Sequence, residues 1–220
     1  MGFSWRGLRV LITSGPTREF LDPVRFLSNS SSGKMGWALA SAARRLGAEV
    51  TVISGPVSTA FPKDVEVKWV TTALEMRRQV LKTAEKADLI ISAAAVTDWR
   101  AKTVATEKIK KKNGEIEIAL VPNPDIIGEV GEIKKKDGAK ARKFPALIGF
   151  ALETRDVEAS AFKKMRAKNL DMIVANSPAS LSSENIRATL LLKNGVKRKL
   201  PLLPKKICAQ AILKEAESFL

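Results

Sequence analysis

Short apolar runs alternate with amphipathic stretches along the 220-residue chain. Runs rich in branched apolar residues predict buried strands at 8–13, 49–53, 65–70, 88–93, 146–150 and 171–175. Stretches with apolar residues at helical spacing lie between them and predict helices at 33–46, 73–86, 124–134, 157–168 and 204–219. Strands that alternate with helices are typical of a parallel sheet with crossover helices. The pattern therefore predicts an α/β fold with a doubly wound, mainly parallel (Rossmann-like) sheet and helices on both faces.

Two Asn-Gly pairs between strand-like runs predict β-hairpins. Residues 109–120 would turn at Asn113-Gly114, and residues 187–200 would turn at Asn194-Gly195. Asn-Gly is a strong hairpin signal because both residues tolerate the positive φ of a tight turn. We expect small antiparallel β extensions at these places. Since no repeat or linker divides the sequence, residues 1–220 are predicted to form a single domain.

The long connection between the first strand and the first helix carries the most informative residues. Ser30–Ser32 and Lys34 lie at the predicted helix start, where free backbone N–H groups favour phosphate or carboxylate. A serine cap with glycines for tight turning would explain the same residues equally well. The spacing of Gly15, Gly33 and Gly36 does not fit a dinucleotide fingerprint, and Met35 follows the lysine where a Walker loop needs Ser or Thr.

Small and polar residues also follow later strands, at the edge where open parallel sheets bind ligands. These positions are 92–98, 149–154 and 175–177. Each of them has a structural explanation as core or turn when taken alone. Their placement on one edge of the sheet favours a site.

Composition excludes several kinds of chemistry. The chain has no histidine and one cysteine, which excludes an internal disulfide, the usual structural zinc sites and Ser-His-Asp or Cys-His catalysis. The apolar runs are too short to span a bilayer and the N-terminal residues lack a signal-peptide pattern, so we expect a cytoplasmic location and no membrane contact.

The net charge of +15 raises the alternative of a basic nucleic-acid-binding module. Basic residues cluster at 102–112, 134–143 and 193–206, where we expect most of them to form a solvated surface. Aromatic residues make up 5% of the chain and tyrosine is absent, so no base-stacking platform accompanies the charge. An attraction for a small polyanionic ligand fits the same charge.

Ordered motifs along nearly the whole chain resemble the phosphopantothenoylcysteine synthetase family, the ligase of coenzyme A biosynthesis that is often fused behind a flavin-dependent decarboxylase. The motifs are Gly15-Pro16-Thr17-Arg18-Glu19, Asp22-Pro23-Val24-Arg25, Ser28-Asn29 through Gly36, Ala94-Ala95-Val96 with Asp98, Lys108-Ile109-Lys110-Lys111, Asn123-Pro124-Asp125-Ile126, Gly149-Phe150-Ala151 with Glu153-Thr154, and Lys168-Asn169-Leu170-Asp171 leading to Ala175-Asn176. Ser14, Thr97 and Trp99 depart from the family pattern, but none of these changes removes a reactive group.

The resemblance implies a ligase that joins 4′-phosphopantothenate and L-cysteine at the expense of a nucleoside triphosphate. It implies CTP as the preferred nucleotide, Mg²⁺ as the cofactor, and an acyl-cytidylate as the intermediate on the way to phosphopantothenoylcysteine, CMP and pyrophosphate. It also implies a homodimer, a fused or associated phosphopantothenoylcysteine decarboxylase, and no nucleic-acid partner. A nicotinamide-dependent reductase on a similar sheet remains the alternative enzyme, although the chain lacks the compact glycine turn and has no tyrosine for a Tyr-x-x-x-Lys pair.

The resemblance also implies roles for individual residues, while it leaves the metal ligands unknown. Lys108 is implied as catalytic for the first half-reaction, and Asn29 for conversion of the acyl intermediate. The implied nucleotide-binding residues are Ser92, Ala93, Ala94, Asp98, Lys108, Pro124, Asp125, Ile126, Ile127, Phe150, Lys164 and Lys168. The residues implied for phosphopantothenate are Ser31, Ser32, Gly33, Lys34 and Asn176.

Overall fold

A computed structural model describes residues 3–111, 113–137, 144–152, 156–180 and 183–220. Along these residues the strands and α-helices are β1 (Arg9–Ser14), β2 (Arg18–Phe20), β3 (Phe26–Ser28), α1 (Lys34–Arg45), β4 (Glu49–Ser54), β5 (Glu66–Trp69), α2 (Ala73–Ala84), β6 (Leu89–Ser92), β7 (Trp99–Ala101), β8 (Leu120–Pro122), α3 (Ile126–Asp137), β9 (Ala146–Leu152), α4 (Val157–Ala167), β10 (Met172–Asn176), β11 (Asn185–Leu192), β12 (Lys197–Pro204) and α5 (Lys205–Ala216). Single 3₁₀ turns follow β10 and α5. No helix in this part of the chain is long and apolar enough to cross a membrane.

The central sheet has the strand order β12-β11-β10-β9-β6-β1-β4-β5. Its strands from β10 to β5 pair in parallel, and β11 and β12 add an antiparallel edge. The chain winds outward from β1 through β4 to β5, then returns to β6 on the other side of β1 and continues to β9 and β10. This confirms the predicted doubly wound sheet, and it places the topological switch point between β1 and β6.

Helices cover both faces of the sheet because the central strands are apolar on both sides. In β1, Val10 and Ile12 pack with α1 and α5, while Leu11 packs with α2 and the other helices of the opposite face. All of these side chains are buried, and such burial contributes about 25 cal/mol per Å² of apolar surface. The two helical layers hold the sheet rigid beneath its carboxyl edge.

One predicted hairpin is confirmed and the other is wrong. The turn at Asn194-Gly195 joins β11 and β12, with Gly195 at φ +88°. Around Asn113-Gly114 the described residues form no strand, and the antiparallel pairing lies further out, between β7 and β8. Residues 113–119 are exposed, so their alternating pattern packs against no core, and isolated two-stranded ribbons are marginally stable.

The long connection after β1 is more ordered than a turn. It contains β2 and β3, which pair in an antiparallel ribbon. The Glu19 side chain is buried, and its carboxylate accepts a hydrogen bond of 2.8 Å from the Ala73 N–H at the start of α2. Part of the polar motif therefore serves the scaffold and does not face a ligand.

Candidate functional site

The candidate site lies at the carboxyl edge of the sheet, beside the switch point. The loop after β6 is fixed there by the connection after β1. The Ala94 N–H donates to Thr13 Oγ1 at 3.2 Å, and the Ala95 N–H donates to the Gly15 carbonyl at 2.9 Å. The Thr97 N–H donates to Thr17 Oγ1 at 3.0 Å. These bonds set the backbone of residues 94–97 in a defined position along the cleft.

A cavity of about 440 Å³ opens between this loop and the helices α3 and α4. It brings together most of the residues that the resemblance assigns to the nucleotide, together with the predicted catalytic asparagine. These are Asn29, Ser92, Ala94, Asp98, Pro124, Asp125, Ile126, Ile127, Phe150, Lys164 and Lys168. We call this space the larger cavity.

The lysines of the larger cavity come from the C-terminal end of α4. Lys164 lies in its last turn and Lys168 directly follows the helix, so both reach the same cavity. Lys168 Nζ lies 2.9 Å from Asp125 Oδ2. Asp125 Oδ1 also accepts the Gly128 N–H at 3.1 Å and thereby caps the start of α3. An anionic ligand would therefore compete with Asp125 for Lys168.

A second cavity of about 130 Å³ lies on the other side of the same loop, at the start of α1. We call it the smaller cavity. It is lined by Ser31, Gly33, Lys34, Met35, Gly36, Ala93, Ala94, Ala95, Phe150, Leu152, Asn176, Ser180, Ile186 and Lys205. Ala94, Ala95, Phe150 and Leu152 line both cavities, so the two spaces meet along this wall.

The start of α1 suits an anion. Gly33 is its N-cap with φ +75°, and among the described residues no side chain caps the helix. The backbone N–H groups of the first turn have no acceptor within the helix, and the helix dipole favours negative charge there. Gly36 packs tightly on the end of β1, since a Cβ at this position would lie 2.2 Å from Ser14 Oγ. A side chain at Gly36 would therefore displace the turn.

Two lysines face one another at the smaller cavity. Lys205, the first residue of α5, is 6% exposed, and burial together with the charge of Lys34 lowers its pKa. Lys34 forms an ion pair with Glu184, and this hydrogen bond lowers the pKa of Glu184. Glu184 supplies one negative charge beside these two cations and partly offsets the lowering of the Lys205 pKa, and a phosphate or carboxylate in the cavity would supply further negative charge. The smaller cavity is therefore suited to a phosphate or carboxylate group.

Sequence reasoning missed Lys205, because it assigned most basic residues of 193–206 to a solvated surface. A usable signal was the position of Lys205 directly after Pro204, at the first residue of an amphipathic helix. The tertiary contact that buries its side chain between α1 and β11 leaves no pattern in the sequence.

Three predicted site residues lie away from the cavity assigned to them. Ala93 lines the smaller cavity, whereas the resemblance implies a nucleotide contact. Ser32 lines neither cavity, and within the described part of the chain its buried hydroxyl oxygen has no hydrogen-bond partner. Lys108 is exposed and lies outside both cavities as the described residues define them. The Glu153-Thr154 motif lies outside the described residues.

Two asparagines hold the walls of the site. The Asn29 Nδ2 group donates to the Ala95 carbonyl at 3.0 Å and to the Val96 carbonyl at 3.2 Å. Asn176 Nδ2 donates to Ser180 Oγ at 2.5 Å. The Asn29 amide thus fixes the loop that separates the two cavities. For Asn29 to donate to a reacting group, its Nδ2 group would have to share or give up one of these two hydrogen bonds.

The described residues contain no group of three or more His, Cys, Asp or Glu side chains that could hold a metal ion by themselves. Asp98 is an exposed carboxylate on the wall of the larger cavity. A Mg²⁺ ion bound mainly through phosphate oxygens and waters needs only one or two such carboxylates. This donor set fits Mg²⁺ that arrives with a nucleotide.

The doubly wound sheet and its lysine-lined cleft at the switch point define a Rossmann-like α/β ligand-binding domain. The chain belongs to the family described as DNA/pantothenate metabolism flavoprotein, C-terminal domain, whose model matches residues 5–220. This confirms the family resemblance that the motifs indicated.

Individual relatives agree with this assignment. The chain is 45% identical over 214 residues to the coenzyme A biosynthesis bifunctional protein CoaBC of Bacillus subtilis, covering 95% of this chain and 51% of that protein. It thus spans about half the length of the curated relatives it matches. The crystal structure of a CoaBC C-terminal domain superimposes with a TM-score of 0.80 at 41% identity, covering 97% of this chain and 95% of that one. A Cab2 mutant in complex with phosphopantothenate-cysteine shares the fold, with a TM-score of 0.74 at 15% identity.

Proposed function

We propose that this chain is a phosphopantothenate–cysteine ligase that uses CTP. The observation that carries the proposal is the pair of cavities that meet along Ala94, Ala95, Phe150 and Leu152. One cavity has room and lysines for a nucleotide, and the other offers a helix start and two lysines to a phosphate. Two anionic substrates that react with each other need adjoining sites of this kind. The names of the CoaBC relatives support the same reaction.

In this proposal the nucleotide occupies the larger cavity. Lys164 and Lys168 face the triphosphate, and Phe150 offers an aromatic face to the base or sugar. The start of α3 supplies backbone N–H groups nearby. Lys108 approaches from the basic segment that follows β7 and neutralises charge as it develops on the α-phosphate.

Phosphopantothenate then lies with its phosphate in the smaller cavity. Lys34, Lys205 and the first turn of α1 hold that phosphate, and Ser31 and Asn176 lie on the same wall. The pantothenate carboxylate points to the shared wall at Ala94 and Ala95. This arrangement places the reacting carboxylate next to the nucleotide.

The reaction proceeds in two steps. The carboxylate attacks the α-phosphate of CTP, the bond to pyrophosphate breaks, and an acyl-cytidylate forms. The cysteine amine then attacks the acyl carbon, CMP leaves, and the nitrogen loses a proton to give the amide. Asn29 borders this junction and can donate to the carbonyl oxygen as the second step makes it negative. Lysines near both phosphates reduce the repulsion between two polyanions.

Mg²⁺ completes the proposal as the ion that neutralises the triphosphate. Asp98 would be the carboxylate that supports it, because it lies exposed on the wall of the larger cavity and, unlike Asp125, is not paired with Lys168. Lys164, Lys168 and Lys108 act on the remaining phosphate charge.

Product analysis tests the function. Protein incubated with CTP, Mg²⁺, phosphopantothenate and cysteine should yield phosphopantothenoylcysteine, CMP and pyrophosphate by mass spectrometry. Without cysteine, the acyl-cytidylate should accumulate. Folded protein that binds CTP but gives neither product nor intermediate would contradict the proposal.

The choice of CTP is a separate part of the proposal. A thermal-shift series with the four ribonucleotides and Mg²⁺ should give the largest rise in Tm with CTP, because a ligand that binds only the folded state stabilises it by mass action. An equal or larger rise with ATP would reassign the nucleotide and leave the ligase function in place.

We also propose that two copies of the chain form a dimer. Large apolar side chains are exposed on the two small ribbons, among them Phe26 on β3, Trp99 on β7 and Leu120 on β8. Sedimentation equilibrium should give twice the mass of 24.0 kDa, and Trp99→Asp should shift the equilibrium to the monomer. Because the CoaBC relatives are about twice as long, a fused or associated decarboxylase is the expected partner.

A further inference from the structure

The basic segment between β7 and β8 is tied down on both sides of Lys108. The Ala105 N–H donates to the Leu21 carbonyl at 3.0 Å. The Ile109 N–H donates to Asp22 Oδ2 at 3.0 Å, and Arg25 Nη2 donates to the Ile109 carbonyl at 2.9 Å. The turn 21–25 thus holds the backbone three residues before Lys108 and directly after it. We call residues 102–119 the basic flap.

Asp22 is the centre of this attachment. Its side chain is fully buried, and its Oδ1 accepts the backbone N–H groups of Val24 at 2.8 Å and Arg25 at 2.7 Å. Burial by itself would raise the pKa of Asp22, but the hydrogen bonds from Ile109, Val24 and Arg25, with the Arg25 charge, bring the pKa below its usual value. Asp22 is therefore a carboxylate at neutral pH. Its Oδ1 holds the turn 21–25, and its Oδ2 holds the flap at Ile109.

The β7–β8 ribbon that carries the flap begins and ends at the larger cavity. Asp98 lines that cavity and directly precedes β7, while Asn123 and Pro124 line it and directly follow β8. The Asn123 N–H donates to the Asp98 carbonyl at 2.7 Å, which joins the two stems at the rim. Lys108 itself is exposed and lies outside the cavity. Its access to a bound triphosphate is therefore set by where the flap is held.

We propose that Asp22 is a positioning residue that fixes the flap backbone at Ile109 and so places the Lys108 ammonium against the triphosphate. This inference rests on the proposed function and on the role of Lys108 within it. The flap carries several lysines that repel one another, and residues 113–119 are exposed, with the Ala119 carbonyl held by the Lys102 N–H at 2.9 Å. Without the Asp22 bond, the flap would keep its stems but lose the fixed position of residues 108 and 109. A displacement of about 1 Å in a catalytic group can cost about a hundredfold in rate.

The substitution Asp22→Asn removes the hydrogen bond to the flap and keeps those within the turn. An asparagine oxygen can still accept the N–H groups of Val24 and Arg25 and keep the turn. Its NH₂ group then takes the place of Oδ2 and cannot accept the Ile109 N–H. The variant should therefore keep the fold and release the flap. Asp64→Asn is the matched control, since it makes the same exchange in an exposed pair with Arg44 at the far end of α1.

The test separates the half-reactions and then combines two variants. In single turnover, Asp22→Asn should form acyl-cytidylate about 10- to 100-fold more slowly than the wild type, while the reaction of preformed acyl-cytidylate with cysteine stays within about twofold. Because Asp22 acts through Lys108, the double variant with Lys108→Gln should be about as slow as Lys108→Gln alone. The proposal would be overturned if the double variant were slower than Lys108→Gln by the full factor seen for Asp22→Asn alone. Equal slowing of both half-reactions by Asp22→Asn would also overturn it.

Amide hydrogen exchange gives a readout that does not depend on activity. The Ile109 amide should be protected in the wild type and in Asp64→Asn, and should exchange at least about tenfold faster in Asp22→Asn. Unchanged protection would overturn the proposal. A wild-type protein that makes no phosphopantothenoylcysteine would contradict the proposed function instead, while the exchange result would still decide whether Asp22 holds the flap.

Discussion

The two cavities share a wall but are built in opposite ways. The smaller cavity has one cation in place, because Lys205 is buried at the start of α5 and the first turn of α1 is packed closely on β1, while its second lysine, Lys34, is paired with Glu184. The larger cavity has to rearrange, because Lys168 is paired with Asp125 and the exposed Lys108 side chain has to turn into the cavity from a backbone that Asp22 holds at Ile109. The difference suggests that one substrate meets a prepared site, and that the other completes its site on binding. The following predictions test that contrast, beginning with the largest effect.

Lys108→Gln should reduce acyl-cytidylate formation by about a hundredfold or more, because an amide cannot neutralise charge on the triphosphate. CTP affinity should change much less. Pyrophosphate release in single turnover measures the first quantity and a thermal shift with CTP measures the second. Lys102→Gln removes a lysine charge at another position of the same flap. It is the control and should behave like the wild type. Near-normal turnover of Lys108→Gln would make the flap a solvated surface.

Asn29→Asp should form acyl-cytidylate and then stall, because a carboxylate repels the negative charge that develops on the carbonyl oxygen. The same carboxylate would also face the carbonyls of Ala95 and Val96, so we expect the free energy of unfolding to fall by about 1 kcal/mol. Quench-flow with cysteine measures the loss of the intermediate, and urea unfolding measures stability. Loss of the intermediate at the normal rate would leave Asn29 as a scaffold residue.

Alkaline pH should weaken phosphopantothenate binding before it weakens nucleotide binding. Burial and the charge of Lys34 lower the pKa of Lys205. As pH rises through that lowered pKa, Lys205 loses its proton earlier than an ordinary lysine, whose pKa is about 10.4. As pH is raised, the KM for phosphopantothenate should therefore begin to increase before the pH reaches the pKa of an ordinary lysine. The KM for CTP should stay constant over the same range. Parallel profiles for the two substrates would contradict a special role of Lys205.

Cys208 should remain inert. Burial raises the pKa of its thiol to about 12, and it lies in the helical layer on the face of α1 and α5. A thiol reagent at about pH 8 should modify the denatured protein and leave the folded protein and its activity unchanged, because the thiolate is the reactive form. Rapid modification of the folded protein with loss of activity would contradict this.

The sheet and its helices could be predicted because each central strand is a continuous apolar run and each helix has an apolar face. The predicted parallel strands and the five helices lie within a few residues of the observed ones, and the Asn194-Gly195 pair correctly predicts its hairpin, whereas the short strands β2, β3, β7 and β8 are not predicted. The predicted hairpin at Asn113-Gly114 is wrong because turn residues alone form no ribbon when the flanking residues are exposed and have no core to pack on. The local signal was the same in both places, and the difference lay in tertiary packing.

The site was predictable where a motif carried it and unpredictable where burial defined it. Most of the residues implied for the nucleotide line one cavity, since they follow strands that end at the same edge. Lys205 could not be distinguished from the surface lysines around it, because its burial depends on contacts between distant elements. The tasks of Glu19 and Asp22 were hidden for the same reason, since each holds a backbone N–H far along the chain.

One measurement tests the division between the cavities directly. Steady-state KM values for CTP and for phosphopantothenate should be compared in Lys205→Met and Lys164→Met, with Lys206→Met as the control that neighbours the buried lysine. The account predicts that Lys205→Met raises the KM for phosphopantothenate by about tenfold or more and leaves the KM for CTP within about twofold, and that Lys164→Met does the reverse. Lys206→Met should change neither value. If Lys205→Met raised the KM for CTP and left that for phosphopantothenate unchanged, the assignment of the two substrates to the two cavities would be contradicted.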